Sequence, residues 1–395
     1  MGNQHASPRR EEPLKIFALC IVAALVILLP AHAASATDAN LVPLTEQFTD
    51  GRCLYPTWSP DGAWIAYQGN SSLWIMRSDG SEKTRLPVEP PIVHPGWSPT
   101  GEEIAFSRCD GESLDVWTIR SDGTKASRLV GSHGDDLFIS WSPDGTKIGF
   151  YSNRSGSREL WVMKADGSDQ HRIYDGEVYN HPSVDFKPEI SWSPQGDRIA
   201  LTKTPSEEIW IKDLEQGTLT PLVSEGWTYT NPVWSPDDDL IAFSAPLKGI
   251  STIHPDGSGR RLLTDDDCAG GMALVWSPSG EKIAYSSCGQ VKVMSRDGSE
   301  QQTVKPEVSP FPRELRWSPT GDTIALGDGD AIYLIQLDEQ TSDTLALTGR
   351  DDTTPQVPGF VAIDAIFTLF LVGGVITLRS CTQPLEKPTQ EEQEA

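Results

Sequence analysis

The tripeptide Trp-Ser-Pro recurs seven times, at Trp58, Trp97, Trp141, Trp192, Trp234, Trp276 and Trp317, with spacings of 39, 44, 51, 42, 42 and 41 residues. A second register runs beside it. Seven positions after each Trp stands Ile: Ile65, Ile104, Ile148, Ile199, Ile241, Ile283 and Ile324. Ala follows six of these and Gly149 the seventh, and an aromatic residue or Leu comes next. Two registers held through seven copies define a repeat architecture before any other property of the chain is considered.

Each unit of about 42 residues reads as four strands. The first ends at Trp. Ser-Pro-x-Gly then suits a type I turn, with Pro pre-setting φ and Gly closing the turn. The fifth unit departs, with Asp238 at the Gly position. The Ile-Ala-aromatic run is the second strand. A third follows at 73–76, 115–119, 159–163 and 208–212, and Asp-Gly at 79–80, 122–123, 166–167, 256–257 and 297–298 signals a hairpin into a short fourth strand. One such sheet cannot bury both faces alone. Stacked radially, seven sheets cover one another, and ring closure removes the free edges. The expected fold is therefore all-β, a seven-bladed β-propeller of four-stranded blades over residues 37–350. The repeated Trp, Ile and aromatic positions are expected to be core. Two segments compete for the outer strand of the last blade, LVPLT (41–45) and TLALT (344–348), with the N-terminal one favoured because pairing the two chain ends locks the ring.

The pattern Trp-Ser-Pro-Asp-Gly-x-x-Ile-Ala-aromatic, followed by an Asp-Gly hairpin and an Arg-Leu strand, resembles the TolB-type (WD40-like) propeller repeat. The resemblance covers about 300 of the 395 residues. It implies the fold strongly and a function weakly, because related repeats serve periplasmic scaffolds, the propellers of oligopeptidase-like enzymes and some polysaccharide lyases.

The chain ends point to the envelope. Residues 1–36 read as a signal peptide or N-terminal anchor helix: Arg9, Arg10 and Lys15 precede a 15-residue apolar run, 16–30, and Ala34-Ser35-Ala36 offers a cleavage site. After a linker at 351–359, the 19 apolar residues 360–378 are long enough for a transmembrane helix, with Arg379 as a stop and a short acidic tail at 379–395. Pro358-Gly359-Phe360 ahead of this run resembles an archaeal C-terminal sorting signal, although the tail runs on further than such signals do. The expectation is an extracytoplasmic, membrane-anchored protein of the cell surface or periplasmic side.

A net charge of −24 argues against nucleic-acid partners, because no broad basic surface is available to displace counterions. No Gly-x-Ser-x-Gly, His-Glu-x-x-His or phosphate loop is present, and no second globular domain is available to carry a hydrolase. The expected function is non-enzymatic: a surface binding or scaffold propeller recognising a protein, peptide or glycan through loops on one face. The alternative is a metal-dependent polysaccharide lyase or hydrolase at the central channel, and a purely structural envelope protein is a third possibility.

Candidate residues follow from the connections between blades. The longest connection, before Trp192, and the next one, before Trp234, carry Tyr179, His181, Phe186, Trp227 and Tyr229, aromatics and a His outside the repeat's core positions and hence candidates for partner contact. His94, His133 and His181 precede first strands and are the weak alternative as metal ligands, against ordinary surface histidines. Their offsets to the next Trp, 3, 8 and 11, do not favour convergence. The runs Asp135-Asp136, Asp237-Asp238-Asp239 and Asp265-Asp266-Asp267 could offer oxygen ligands to Ca²⁺, but without EF-hand spacing they read first as solvated loops. No resident cofactor is expected. Cys109 and Cys288 each lie 12 residues after a Trp, while Cys53 and Cys268 lie shortly before one. That phase pairs Cys268 with Cys288 inside blade six and Cys53 with Cys109 between blades one and two, with free buried thiols as the alternative.

Overall fold

The computed structural model describes residues 41–45, 53–174, 190–203, 208–224, 230–245, 248–266, 269–305 and 314–337. All described strands fall in one unit, Asn40–Ala395, and form seven four-stranded antiparallel sheets. Blades one to six occupy 53–85, 92–128, 136–174, 191–223, 230–264 and 269–305. Blade seven takes three strands from 314–336, and its outer strand is Leu41–Pro43 from the N-terminal side. The two chain ends thus meet in one sheet, as expected of the favoured segment. The apolar runs 16–30 and 360–378 lie outside the described residues, and among the described residues no helix is long and apolar enough to cross a membrane.

The Trp-Ser-Pro motif explains itself in hydrogen bonds. In all seven blades the Ser Oγ accepts the backbone amide five residues on, from Trp64 N to Ser59 Oγ at 2.9 Å in blade one to Thr323 N to Ser318 Oγ at 3.2 Å in blade seven. In five blades the same hydroxyl donates to a carboxylate two or four positions later, as Ser59 does to Asp61 at 2.6 Å and Ser193 to Asp197 at 2.7 Å, while in blades two and six it meets the hydroxyl of Thr100 or Ser279. The Ser59 hydroxyl, followed by the Ala63 amide, holds the Asp61 carboxyl below its ordinary pKa, and the Ser193 hydroxyl does the same for Asp197. Gly62 closes its turn with φ +70°, and blade five reaches the same left-handed conformation with Asp238 at φ +63°. Asp tolerates that region at modest cost. Its carboxylate also receives Arg198 at 2.7 Å from blade four.

The core lies between blades, as radial stacking requires. Ile104 and Phe106 of blade two pack on Leu73 and Ile75 of blade one, while Ala105 between them packs with Ile139 of blade three. The seam between blades seven and one is built the same way, from Ala325, Ile332 and Leu334 against Ile65, Tyr67 and Met76. Indole N–H groups add bridges around the ring: Trp141 Nε1 donates to Gly96 O at 3.2 Å, Trp276 to Val233 O at 3.0 Å, and Trp58 closes the circle onto Arg316 O at 3.1 Å.

Candidate functional site

The innermost strand of each blade ends on Trp, so the ring axis is lined by what those strands present. An axial cavity of ≈ 480 Å³ is bounded by residues from all seven blades. Five of its lining residues are tryptophans, Trp97, Trp141, Trp234, Trp276 and Trp317, and five are prolines, Pro56, Pro95, Pro99, Pro236 and Pro278. The expectation that the repeated tryptophans are core holds for five of the seven: Trp97, Trp192, Trp234, Trp276 and Trp317 are all at most 9% exposed, whereas Trp58 and Trp141 are half-buried. The residual edges of four of these border the channel, so the same side chains serve both packing and wall.

Charge in the described wall comes from Glu314 and Arg316, two residues apart on the first strand of blade seven (Glu314–Trp317). That spacing puts both on one face of the strand. Neither was singled out in the sequence. The available signal was the variability of the third position before Trp, which reads Tyr55, His94, Phe138, Asn231, Ala273 and Glu314 in blades one, two, three, five, six and seven. In blades one and two this position sits in a bulge, where the strand register shifts. Tyr55 and His94 take φ +59° and +54° there, which is costly for such side chains and marks a position held by its surroundings. Their rings meet at 4.3 Å between centroids and 55° between planes.

The expected contact residues Tyr179, His181, Phe186, Trp227 and Tyr229 lie outside the described residues. Of the three histidines weighed as metal ligands, His94 is 3% exposed and packed on Tyr55, His133 is exposed in the connection before blade three, and His181 lies outside the described residues. Among the described residues no three His, Cys, Asp or Glu side chains are placed to hold one metal ion.

The acidic runs engage partners of their own. Asp266 accepts from Lys292 Nζ at 2.7 Å and Ser287 Oγ at 2.6 Å, Asp136 meets Arg154 at 2.9 Å, and Asp237 and Asp239 both receive Arg296. Asp267 lies outside the described residues.

Cys109 stands at the end of a second strand and Cys288 in the hairpin turn just beyond one, with φ +44°. Cys268 lies outside the described residues. Cys53 is fully buried, and it packs in the cluster shared with Ala325, Ile332 and Leu334 of blade seven. Cys109 lies on the other parity of its strand from Ile104 and Phe106, which face blade one, and shares the blade-three side with Ala105. The two side chains leave blades one and two toward different neighbours. The expected Cys53–Cys109 link does not fit this packing, because its sequence phase fixed height along the strands but not the face.

An acidic seven-bladed ring with an aromatic and proline-lined axial channel is the class of protein these features define. Residues 40–190 match the family model of the TolB beta propeller domain (PD40), which supports a TolB-type propeller. Over 206 residues the chain is 29% identical to an uncharacterized protein of Agrobacterium fabrum, spanning 47% of this chain and 67% of that one. Over 60 residues it is 38% identical to the Tol-Pal system protein TolB of Gluconobacter oxydans, spanning 14% and 13%. An uncharacterized peptidase of Bacillus subtilis is 29% identical over 129 residues, 29% of this chain, and the match spans only 20% of the peptidase's length. Among solved structures, an oligogalacturonate lyase in complex with manganese superposes with a TM-score of 0.59 at 14% identity, covering 76% of this chain and 94% of the lyase. That likeness is one of fold.

Proposed function

We propose that this chain is a non-enzymatic, extracytoplasmic binding propeller, held at the membrane by its apolar ends, that receives part of a protein, peptide or glycan partner at the axial channel and the face carrying the first-strand connections. The observation that carries this reading is the channel wall. Rigid Trp and Pro surfaces give a ligand area at little entropic cost, and one acid and one base on a single strand orient it. The wall is built from strands that also hold the ring together, so it is pre-formed, a property suited to recognition. A Cys268–Cys288 link in blade six fits the same exported setting.

The wall tryptophans supply the assay. Full-length protein in detergent is titrated with peptide and oligosaccharide pools while indole emission is followed. A saturable shift that Glu314→Ala and Arg316→Ala both weaken supports the channel as the site. A shift indifferent to both substitutions sends the reading elsewhere. The likeness to the lyase fold motivates the second reading, metal-dependent polysaccharide cleavage. Release of unsaturated product from oligogalacturonate on addition of Mn²⁺ would displace the binding-module reading.

A further inference from the structure

The charged pair in the channel wall has a direction. Ser318 N donates to Thr323 O at 2.8 Å, which makes 318 and 323 a hydrogen-bonded pair. Antiparallel alternation makes Arg316 and Ala325 the next such pair. Leu315 and Trp317, the residues in between, therefore turn their amide and carbonyl groups away from the second strand and toward the ring axis.

The Leu315 carbonyl marks where the guanidinium lies. Arg316 Nη1 donates to Leu315 O at 2.8 Å, so the head group is held at the axial edge of its own strand. That bond uses one of the five donors of a guanidinium. The Trp317 amide points to the same edge. In blade five the equivalent amide, Trp234 N, donates to Ser191 Oγ of blade four at 2.7 Å. For Trp317 the corresponding residue of blade six is Val275, whose side chain has no acceptor. Arg316 and Trp317 thus bring a planar cation and a backbone N–H to one edge, a donor set that suits a carboxylate.

Glu314 begins the same strand, on the side of the first-strand connections, and shares a strand face with Arg316. At about 3.3 Å per residue the two positions are about 6.6 Å apart. A ligand whose carboxylate meets Arg316 passes Glu314 with the atoms next to that carboxylate, and gains by carrying positive charge there. The net charge of −24 sharpens the requirement, because an anion without a cation of its own approaches such a chain unfavourably. Sugar recognition is served less well. Trp97, Trp234, Trp276 and Trp317 line the channel but are at most 9% exposed, so their ring faces are not open for a sugar to stack on.

Resting on the channel as the binding site of this propeller, we propose that its ligand is the carboxy-terminal end of a peptide whose last residue is Lys or Arg. The α-carboxylate accepts from the Arg316 guanidinium and the Trp317 amide, and the basic side chain pairs with Glu314. A chain end reaches this position without threading the ring. The channel volume of ≈ 480 Å³ falls within the usual range of ligand pockets, roughly 300–1,000 Å³, and receives only the last few residues.

The test is calorimetric titration of the full-length protein in detergent. The probes are N-acetylated Ala-Ala-Ala-Ala-Lys as free acid, the same peptide as its C-terminal amide, the free acid ending in norleucine, and oligogalacturonate. Amidation is expected to weaken binding about tenfold or more, and so is norleucine, because each removes a charged hydrogen-bonding group. Arg316→Gln should erase the difference between acid and amide, and Glu314→Gln the difference between Lys and norleucine. The comparison of acid with amide on the wild type needs no variant, so a variant that fails to fold does not shield the inference. Equal binding of acid and amide overturns it and leaves the channel standing as a binding site. Tighter binding of oligogalacturonate than of any peptide overturns it in favour of a glycan in the same channel. Binding of none of the four also overturns it, and the channel reading falls with it only if the peptide and oligosaccharide pools give no indole shift either.

Discussion

Lys305 ends the outer strand of blade six and is only 7% exposed, with its Nζ 4.4 Å from the centroid of the Tyr333 ring in blade seven. Burial pushes its ammonium down from 10.5 to about 8, with the Asp328 carboxylate pulling the other way. The folded-state pKa lies below the unfolded one, so between the two values the unfolded chain binds more protons. Lys305 therefore destabilises the fold fully below pH 8, and the penalty fades as pH rises from about 8 to 10.5. Between about 8 and 10.5, at about 1.4 kcal/mol for each pH unit, this sets an upper bound of about 3.5 kcal/mol.

Lys305→Met keeps the apolar stem and removes the charge. Losing the cation–π contact with Tyr333 returns about 1 kcal/mol, so a net gain of at most about 2.5 kcal/mol is expected at pH 7, or up to roughly 5 °C in Tm. Thermal melts of wild type and variant from pH 7 to 10.5 test this directly, because the other titrating groups are common to both and cancel in the difference. The gap should be widest at pH 7 and close as pH rises. A variant less stable than wild type at pH 7, or a gap independent of pH, refutes the reasoning.

Four further outcomes are expected. Ser142→Ala leaves the Lys147 amide without its 2.9 Å acceptor and should cost about 1–3 kcal/mol in urea unfolding, far more than a surface Ser→Ala change. Asp238→Gly relieves the left-handed backbone but loses the ion pair with Arg198, so it should melt close to wild type, whereas Asp238→Val forfeits the pair and adds strain, costing about 2 kcal/mol. The lowered pKa values of Asp61 and Asp197 mean that their stabilisation is complete above the ordinary carboxylate pKa of about 4 and is lost as pH falls below it; Asp61→Asn should flatten the fall of Tm between pH 5 and 2.5. Asp115 has the opposite sign. Burial raises its pKa against the pull of Arg128, so its penalty is relieved as pH drops through that raised value, and Asp115→Asn should remove this gain on acidification.

The fold was legible because the repeat encodes hydrogen bonds that recur without exception. The Ser of Trp-Ser-Pro accepts an amide in every blade, and a residue with that duty shows as an invariant letter. Strand order and count follow from such letters, and so does the competition for the last strand. The channel was harder to see for the same reason. Its wall includes the repeated Trp, which read as core, and three of the repeated Pro, which read as turn, and its distinguishing residues, Glu314 and Arg316, look like ordinary polar letters in a strand. The Cys53 pairing failed on a different count. Spacing to Trp fixes where along the sheet a residue sits, but the bulge between Leu54 and Thr57 shifts the register, and parity alone cannot be carried across it.

That bulge links the two kinds of information. An insertion in the first strand turns the third residue before Trp out of the pleat, which frees it from the packing rule that fixes its neighbours. Its identity can then differ, as between Tyr55 and His94, and the backbone holds the unusual φ of both in place; Glu314 takes the same position in blade seven on a strand whose pairing is regular. The third position before Trp borders the channel in blades one and seven, as Tyr55 and Glu314. Chemical asymmetry in this ring is expected to concentrate at these positions and at the connections leading into them, and Glu314, beside Arg316 at the seam where the ring closes, is where its charge is found.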